Sequence, residues 1–243
     1  MRRILALLLL TTPALAQDAT LLDRAVRADP GAVALYLQAV DLYALGQQAK
    51  DPLMVVTAAR LIRGLTLTDV ALLPDPAPPS QPAPTQPTST QPAPTQPAPT
   101  QPTPSQPTLT PPTLTRLNAA AMLVTAGNLD AGANYADLIE QVARERTPRA
   151  KALSVTASIL PPGKAETWTV GFYGGTHAEL AILGDGRSNL DLTVRDAAGG
   201  VICADLGSAD RAMCGFALRD NGEVQVTVTN AGTEPAVYML LTQ

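Results

Sequence analysis

Gln81 to Thr115 reads QPAPT-QPTST-QPAPT-QPAPT-QPTPS-QPTLT-PPTLT, a pentapeptide of the form Q-P-x-x-T repeated almost without a break. No charged or aromatic residue occurs from Pro76 to Thr115, and sixteen of the 23 prolines lie between Pro74 and Pro112. Proline fixes φ and has no N–H to donate, so neither a helix nor a central strand can form here. What remains is a solvated polyproline II rod, disordered as a packed unit, with a reach of about 130 Å when extended. The run therefore separates two halves that are read independently.

The chain opens with Arg2 and Arg3, an apolar stretch from Ile4 to Leu10, and Ala14-Leu15-Ala16 before Gln17. That order is a secretory leader over 1–16, cleaved between Ala16 and Gln17, and its apolar stretch is too short to span a bilayer. The residues after the Arg pair do not extend a twin-arginine motif, and no Cys follows the small residues. The general secretory route and a periplasmic or secreted destination are expected. Removing the two leader arginines moves the net charge from −4 to −6. Mild acidity without Lys/Arg clusters argues against nucleic acid and against an anionic membrane surface.

In the first half, Asp29-Pro30 and Asp51-Pro52 each combine a capping carboxylate with a first-turn proline. Val33, Tyr36, Leu37, Val40, Tyr43 and Ala44 then fall on one helical face before Gly46, and Val55, Ala58, Ala59 and Ile62 do so before Gly64. This predicts a helical hairpin region over 17–73, with a short extra helix at Leu21 to Ala28. Beyond the repeat segment (74–115), one stripe comprises Leu117, Ala120, Ala121 and Val124, with Gly127 after it. Another comprises Tyr135, Leu138, Ile139 and Val142, opened by Asn134. Such narrow stripes cannot be stable alone. The pair at 116–149 is therefore expected to complete one small bundle, with the repeat as a loop inserted within it. The 33–62 hairpin has an A-x-x-x-Y flavour of a tetratricopeptide repeat, but a single unit is no array.

From Ala152 onward the period becomes two. Trp168, Val170 and Phe172 form one apolar set, Leu190, Leu192 and Val194 a second, and Val224, Val226 and Val228 a third. Turn signals stand between the runs: Pro161-Pro162-Gly163, Gly184-Asp185-Gly186, Ala198-Gly199-Gly200, Asp220-Asn221-Gly222 and Asn230-Ala231-Gly232. Seven or eight short strands predict an antiparallel β-sandwich over 150–243. The fold class is thus α+β: a small helical bundle interrupted by a disordered segment, then a sandwich. Cys203 and Cys214 are close in sequence and even in number, which in an exported chain predicts a disulfide.

Leu160-Pro-Pro-Gly-Lys164, Thr167-Trp-Thr-Val170 and the run from Gly184-Asp-Gly186 into Asn189-Leu-Asp-Leu-Thr-Val-Arg-Asp196 resemble the bacterial pre-peptidase C-terminal domain. The closing pair, Gly222 to Asn230 and Ala236 to Thr242, fits the same module. The resemblance covers roughly 150–243. It implies a jelly-roll-like sandwich that accompanies secreted peptidases and other exported proteins, usually as a non-catalytic appendage. Some related sandwiches bind calcium or polymeric substrates, although Asn189 stands where the family pattern has its first Asp. The helical half resembles uncharacterised exported bacterial proteins that carry the same sandwich.

Asp185, Asp191, Asp196, Asp205 and Asp210 are the candidate calcium ligands, since calcium takes six to eight oxygens, many from carboxylates on turns. Asp in turns also satisfies backbone N–H groups without any metal. His177 is the only histidine, and no G-x-S-x-G motif exists to complete a triad. Ser158, Ser188 and Ser208 read as ordinary strand or loop serines, His177 as a surface strand end, and Trp168 as core. A non-enzymatic binding or scaffolding protein without a cofactor is expected, its partner an unknown protein or envelope polymer. A calcium- or polysaccharide-binding accessory module is the alternative, and a hydrolase the second alternative.

Overall fold

A computed structural model describes residues 30–76, 116–146 and 150–243. The expected leader and its cleavage site, the helix over Leu21 to Ala28, the cap at Asp29 and the repeat from 77 to 115 lie outside the described residues. Among the described residues, four helices pack on the outer face of one sheet of a two-sheet sandwich. In chain order the elements are α1 (Ala32–Ala49), α2 (Pro52–Arg63), β1 (Leu65–Asp69), α3 (Ala119–Leu129) and α4 (Ala136–Arg144). The strands β2 (Lys151–Leu160), β3 (Ala165–Phe172), β4 (His177–Gly184) and β5 (Leu190–Arg195) follow. Then come β6 (Val201–Asp205), β7 (Arg211–Ala217), β8 (Gly222–Asn230) and β9 (Ala236–Thr242). One sheet has the order β1-β2-β9-β4-β7 and the other β3-β8-β5-β6. All pairs are antiparallel except β1 with β2.

The sandwich interior is built by alternation. Trp168, Leu190, Leu192, Val194, Val224, Val226 and Val228 from the four-stranded sheet meet Leu180, Ile182, Phe216, Tyr238 and Leu240 from the five-stranded one. The other face of the five-stranded sheet carries Leu153, Val155, Ala181, Met239 and Leu241, packed in one core with Val33, Tyr36, Ala59, Ile62, Met122 and Val142 of the helices. This sheet is thus apolar on both faces, not on one as the strand alternation implied. Every residue of β9 is buried, as expected of a central strand covered on both sides. The molecule therefore has three layers.

Several local expectations need correction. Gly46 does not end α1, which runs on to Ala49 and closes on Lys50 in the left-handed region. Gly46 instead lets the helices approach closely, because a Cβ there would lie 2.9 Å from Met54 Cβ and Val55 Cγ2. Gly127 is inside α3. That helix buries Met122, Leu123 and Ala126, whereas Ala120, Ala121 and Val124 face solvent. α4 opens at Tyr135 rather than Asn134, and the Asp130 carboxylate accepts from the N–H groups of both. Asp51 caps α2 as expected, accepting from Leu53 and Met54 N–H at 2.8 and 3.3 Å. β1 falls inside the segment read as helical.

Both ends of the sandwich are closed sideways. At one end Cys203 of β6 is bonded to Cys214 of β7, joining the edge strands of the two sheets. At the other, residues 70–75 cross from β2 to β3: Val70 N–H donates to Val155 O at 3.0 Å and Asp75 N–H to Thr167 O at 2.7 Å. Arg116 pairs with Asp69, so the chain re-enters beside its point of exit from β1.

Candidate functional site

The five aspartates expected to converge are used separately. Asp196 Oδ1 accepts from Ala198 and Gly200 N–H at 2.9 and 2.8 Å, closing the β5–β6 turn. Asp205 accepts from Gly207 and Met213 N–H. Asp185 accepts from Arg187 N–H at 3.3 Å, and the Arg187 guanidinium lies 3.7 Å from its other oxygen. Asp210 lies in the turn before β7, where its carbonyl takes the Gly184 N–H. Asp191 is in mid-β5, and its Oδ1, like Asn189 Oδ1, is buried without a hydrogen-bond partner. Among the described residues, no three His, Cys, Asp or Glu side chains come together as a metal group.

His177 opens β4 at the surface, with Nε2 3.3 Å from Glu179 Oε1. Glu179 is 4% exposed and faces the helices. Its two oxygens accept from Gly31 N–H at 3.0 Å and Ala34 N–H at 3.1 Å, while Gln243 Oε1 takes the Ala32 N–H. The start of α1, whose N-cap Gly31 has no side chain to accept, is thus capped from the sheet. A carboxylate at a helix N-terminus satisfies orphan donors and meets the positive end of the helix dipole. Glu179 is therefore committed to docking α1 while its Oε1 also lies beside His177.

A second buried polar chain lies inside the sandwich. Trp168 Nε1–H donates to Tyr238 Oη at 3.0 Å, and Tyr238 donates to Glu166. Burial, and next the nearby Glu166 carboxylate, push the Tyr238 phenol well above its ordinary range. Tyr36 is raised as well, chiefly by burial. Ser188 Oγ is bound to Glu234 O at 2.7 Å. These groups hold strands and turns together.

The outer face of the four-stranded sheet is the broad surface left open. Strand register places Thr167, Thr227, Thr193 and Ala204 in one row across it. Thr169, Gln225 and Arg195 form the next row, and Ala165, Thr229 and Asp191 another. Beyond Gly171, where a Cβ would meet nothing within 4 Å, the 77% exposed Tyr173 follows β3. The face is polar and rich in hydroxyls. It can bind by hydrogen bonds and by one aromatic ring.

No protein-family model matches the chain, and no curated protein does. Among solved structures it is similar to the Aeromonas hydrophila protein PliG, a periplasmic inhibitor of g-type lysozyme. That match is 15% identical, covers 37% of this chain and 84% of the other, and has a TM-score of 0.29. The pre-peptidase C-terminal domain of collagenase from Bacillus anthracis is similar at 11% identity, over 37% of this chain and 87% of that domain, with a TM-score of 0.31. The C-terminal CBM6 of LamC, a laminarinase of Zobellia galactanivorans, is similar at 8% identity, over 37% and 90%, with a TM-score of 0.24. Scores this low assign no activity.

Sequence reasoning missed Glu179, whose role depends on a helix 145 positions earlier. A lone acid inside the apolar run Ala178 to Leu183 was the available signal, since carboxylates are rarely buried without a partner.

Proposed function

We propose that this chain is an exported, non-catalytic binding protein that meets its partner on the outer face of the four-stranded sheet. The observation that carries this reading is how the polar side chains are divided. His177, Glu179, Tyr238 and the turn aspartates are engaged by the fold; on the outer face Thr167 and Thr227 bond to each other and Thr169 to Asp75, while Gln225 and Tyr173 project to solvent. The 203–214 disulfide fits an oxidising compartment, periplasmic or extracellular. Residues 150–243 are read as a sandwich like the pre-peptidase C-terminal domain, 17–73 and 116–149 as its helical cover, and 74–115 as a loop inserted between them. The partner is a protein or an envelope polymer.

The test is quantitative capture from a periplasmic extract and from suspended envelope polysaccharides, using the mature chain and a variant with Gln225→Lys and Thr227→Lys. Binding lost in the variant, with an unchanged melting temperature, supports the reading; equal binding by both refutes the assignment to this face. A broad esterase and peptidase panel addresses the hydrolase alternative, which requires turnover that disappears in His177→Ala. One observation favours the calcium alternative: Asn189 Oδ1, just before β5, and Asp191 Oδ1, within it, are buried acceptors without donors. Heat on titration with Ca²⁺, together with a raised melting temperature, would establish it.

A further inference from the structure

β3 is an edge strand of its sheet, and an edge offers unpaired N–H and C=O groups to any passing strand. We propose that Pro74-Asp75-Pro76 is a built-in guard on this edge, and that unseating it lets β3 pair with β3 of a second copy of the chain. The inference stands apart from what the open face binds.

The guard is held at three points. Asp75 N–H donates to the Thr167 carbonyl at 2.7 Å. The Thr169 hydroxyl donates to Asp75 Oδ2 at 2.9 Å. Leu72, half-buried, packs against the sandwich core one turn of chain earlier. Upstream, Val70 is fixed by Val155 O through its N–H and by Thr156 Oγ1 through its carbonyl. Asp75 thus occupies β3 as a single rung. Its neighbours on both sides are prolines, which have no N–H, so the strap cannot present a donor row of its own. The edge is covered by a segment that ends the sheet rather than extending it. A second copy is the fitting occupant because β3 is self-complementary in the antiparallel sense: its one charge, Glu166, is turned to Tyr238 and falls opposite Phe172 rather than its own twin when two copies pair about Thr169. At the far end Cys203 and Cys214 tie β6 to β7, whereas the β3 edge is covered by the two Asp75 bonds and by Leu72.

The experiment uses the full mature chain. Asp75→Pro removes both bonds to β3; Asp75→Asn keeps the N–H and an acceptor oxygen. Size-exclusion chromatography with light scattering should show twice the native mass for Asp75→Pro, growing with concentration, and the native mass for Asp75→Asn. Hydrogen exchange across 165–172 should slow as the mass doubles, and in the native chain the Asp75 amide should exchange more slowly than that of Leu73. Leu72→Asp, which unseats the strap without touching β3, must give the same doubling and decides the matter if Asp75→Pro does not fold. A folded Asp75→Pro or Leu72→Asp that keeps the native mass at every concentration overturns the proposal. So does a rise in mass that leaves exchange in β3 unchanged.

Discussion

Glu179 is the side chain on which the helical layer turns. Removing its carboxylate leaves the buried Gly31 N–H and the half-buried Ala34 N–H with no acceptor. Glu179→Ala should therefore cost about 2–4 kcal/mol, and Glu179→Gln roughly half of that because one acceptor survives. Urea titration followed by circular dichroism measures both. Tyr238 gives a pH dependence whose sign is fixed. Its phenol is raised in the folded state, so above about pH 10 the native protein retains a proton that the unfolded chain has lost. Stability contributed by the neutral phenol is fully present below that pH and falls as pH rises, by up to about 1.4 kcal/mol per pH unit. Tyr36 shifts the same way, so Tyr238→Phe should reduce the fall in stability above about pH 10 without abolishing it. The same substitution leaves the Trp168 N–H without its acceptor, a cost of about 1–3 kcal/mol at neutral pH. At this scale the sequence was readable where a group acts on its own neighbours. Asp51 and Pro52 announce α2 because cap and helix are adjacent, whereas Glu179 and the orphan donors of α1 meet only after the layers pack.

Elements were legible in proportion to how much water each one meets. β3, β5 and β8 have one wet face, so their alternating valines and leucines reveal both strand and orientation. β9 is buried throughout, and its unbroken run Ala236-Val-Tyr-Met-Leu-Leu marks a strand without saying that Met239 and Leu241 turn toward helices. β1 is short, and its parallel partner begins 86 positions later, so no local turn signal announces the pairing. α3 misleads for another reason. Ala119-Ala-Ala-Met-Leu-Val is apolar all round, so several stripes are possible and composition cannot choose among them. The structure chooses Met122, Leu123 and Ala126, and two substitutions test that choice. Met122→Ala, at a fully buried position, should cost about 2–4 kcal/mol. Val124→Lys, at a position 66% exposed, should change stability by less than about 0.5 kcal/mol. Equal losses by chemical denaturation would mean that the helix is rotated.

For the molecule as a whole, the question is where one folding unit ends. The repeat interrupts the sequence but not the packing, since Met122 and Val142 after it share a core with Val55 and Ile62 before it. Arg116 is held beside the end of β1 by Asp69, whereas Pro76 follows Asp75 on β3 across the sandwich edge, so replacing 77–115 with a Gly/Ser linker long enough to span those two points should leave a cooperative fold within a few degrees of the native melting temperature. The resemblance that marked 150–243 as a module rests on strand patterns, and those patterns are blind to what covers a sheet from outside. Leu153, Val155, Ala181, Met239 and Leu241 face the helices and would be exposed together if the sandwich stood alone. A contiguous apolar patch of that kind drives association. Residues 150–243 expressed alone should therefore be recovered insoluble or self-associated, and co-expression with 30–146 in trans should restore a soluble complex. If 150–243 is instead monomeric, with a sharp thermal transition and the Trp168 fluorescence of the full chain, the helices are an addition to an independent sandwich. The Glu179 substitutions should then leave the stability of the strands untouched.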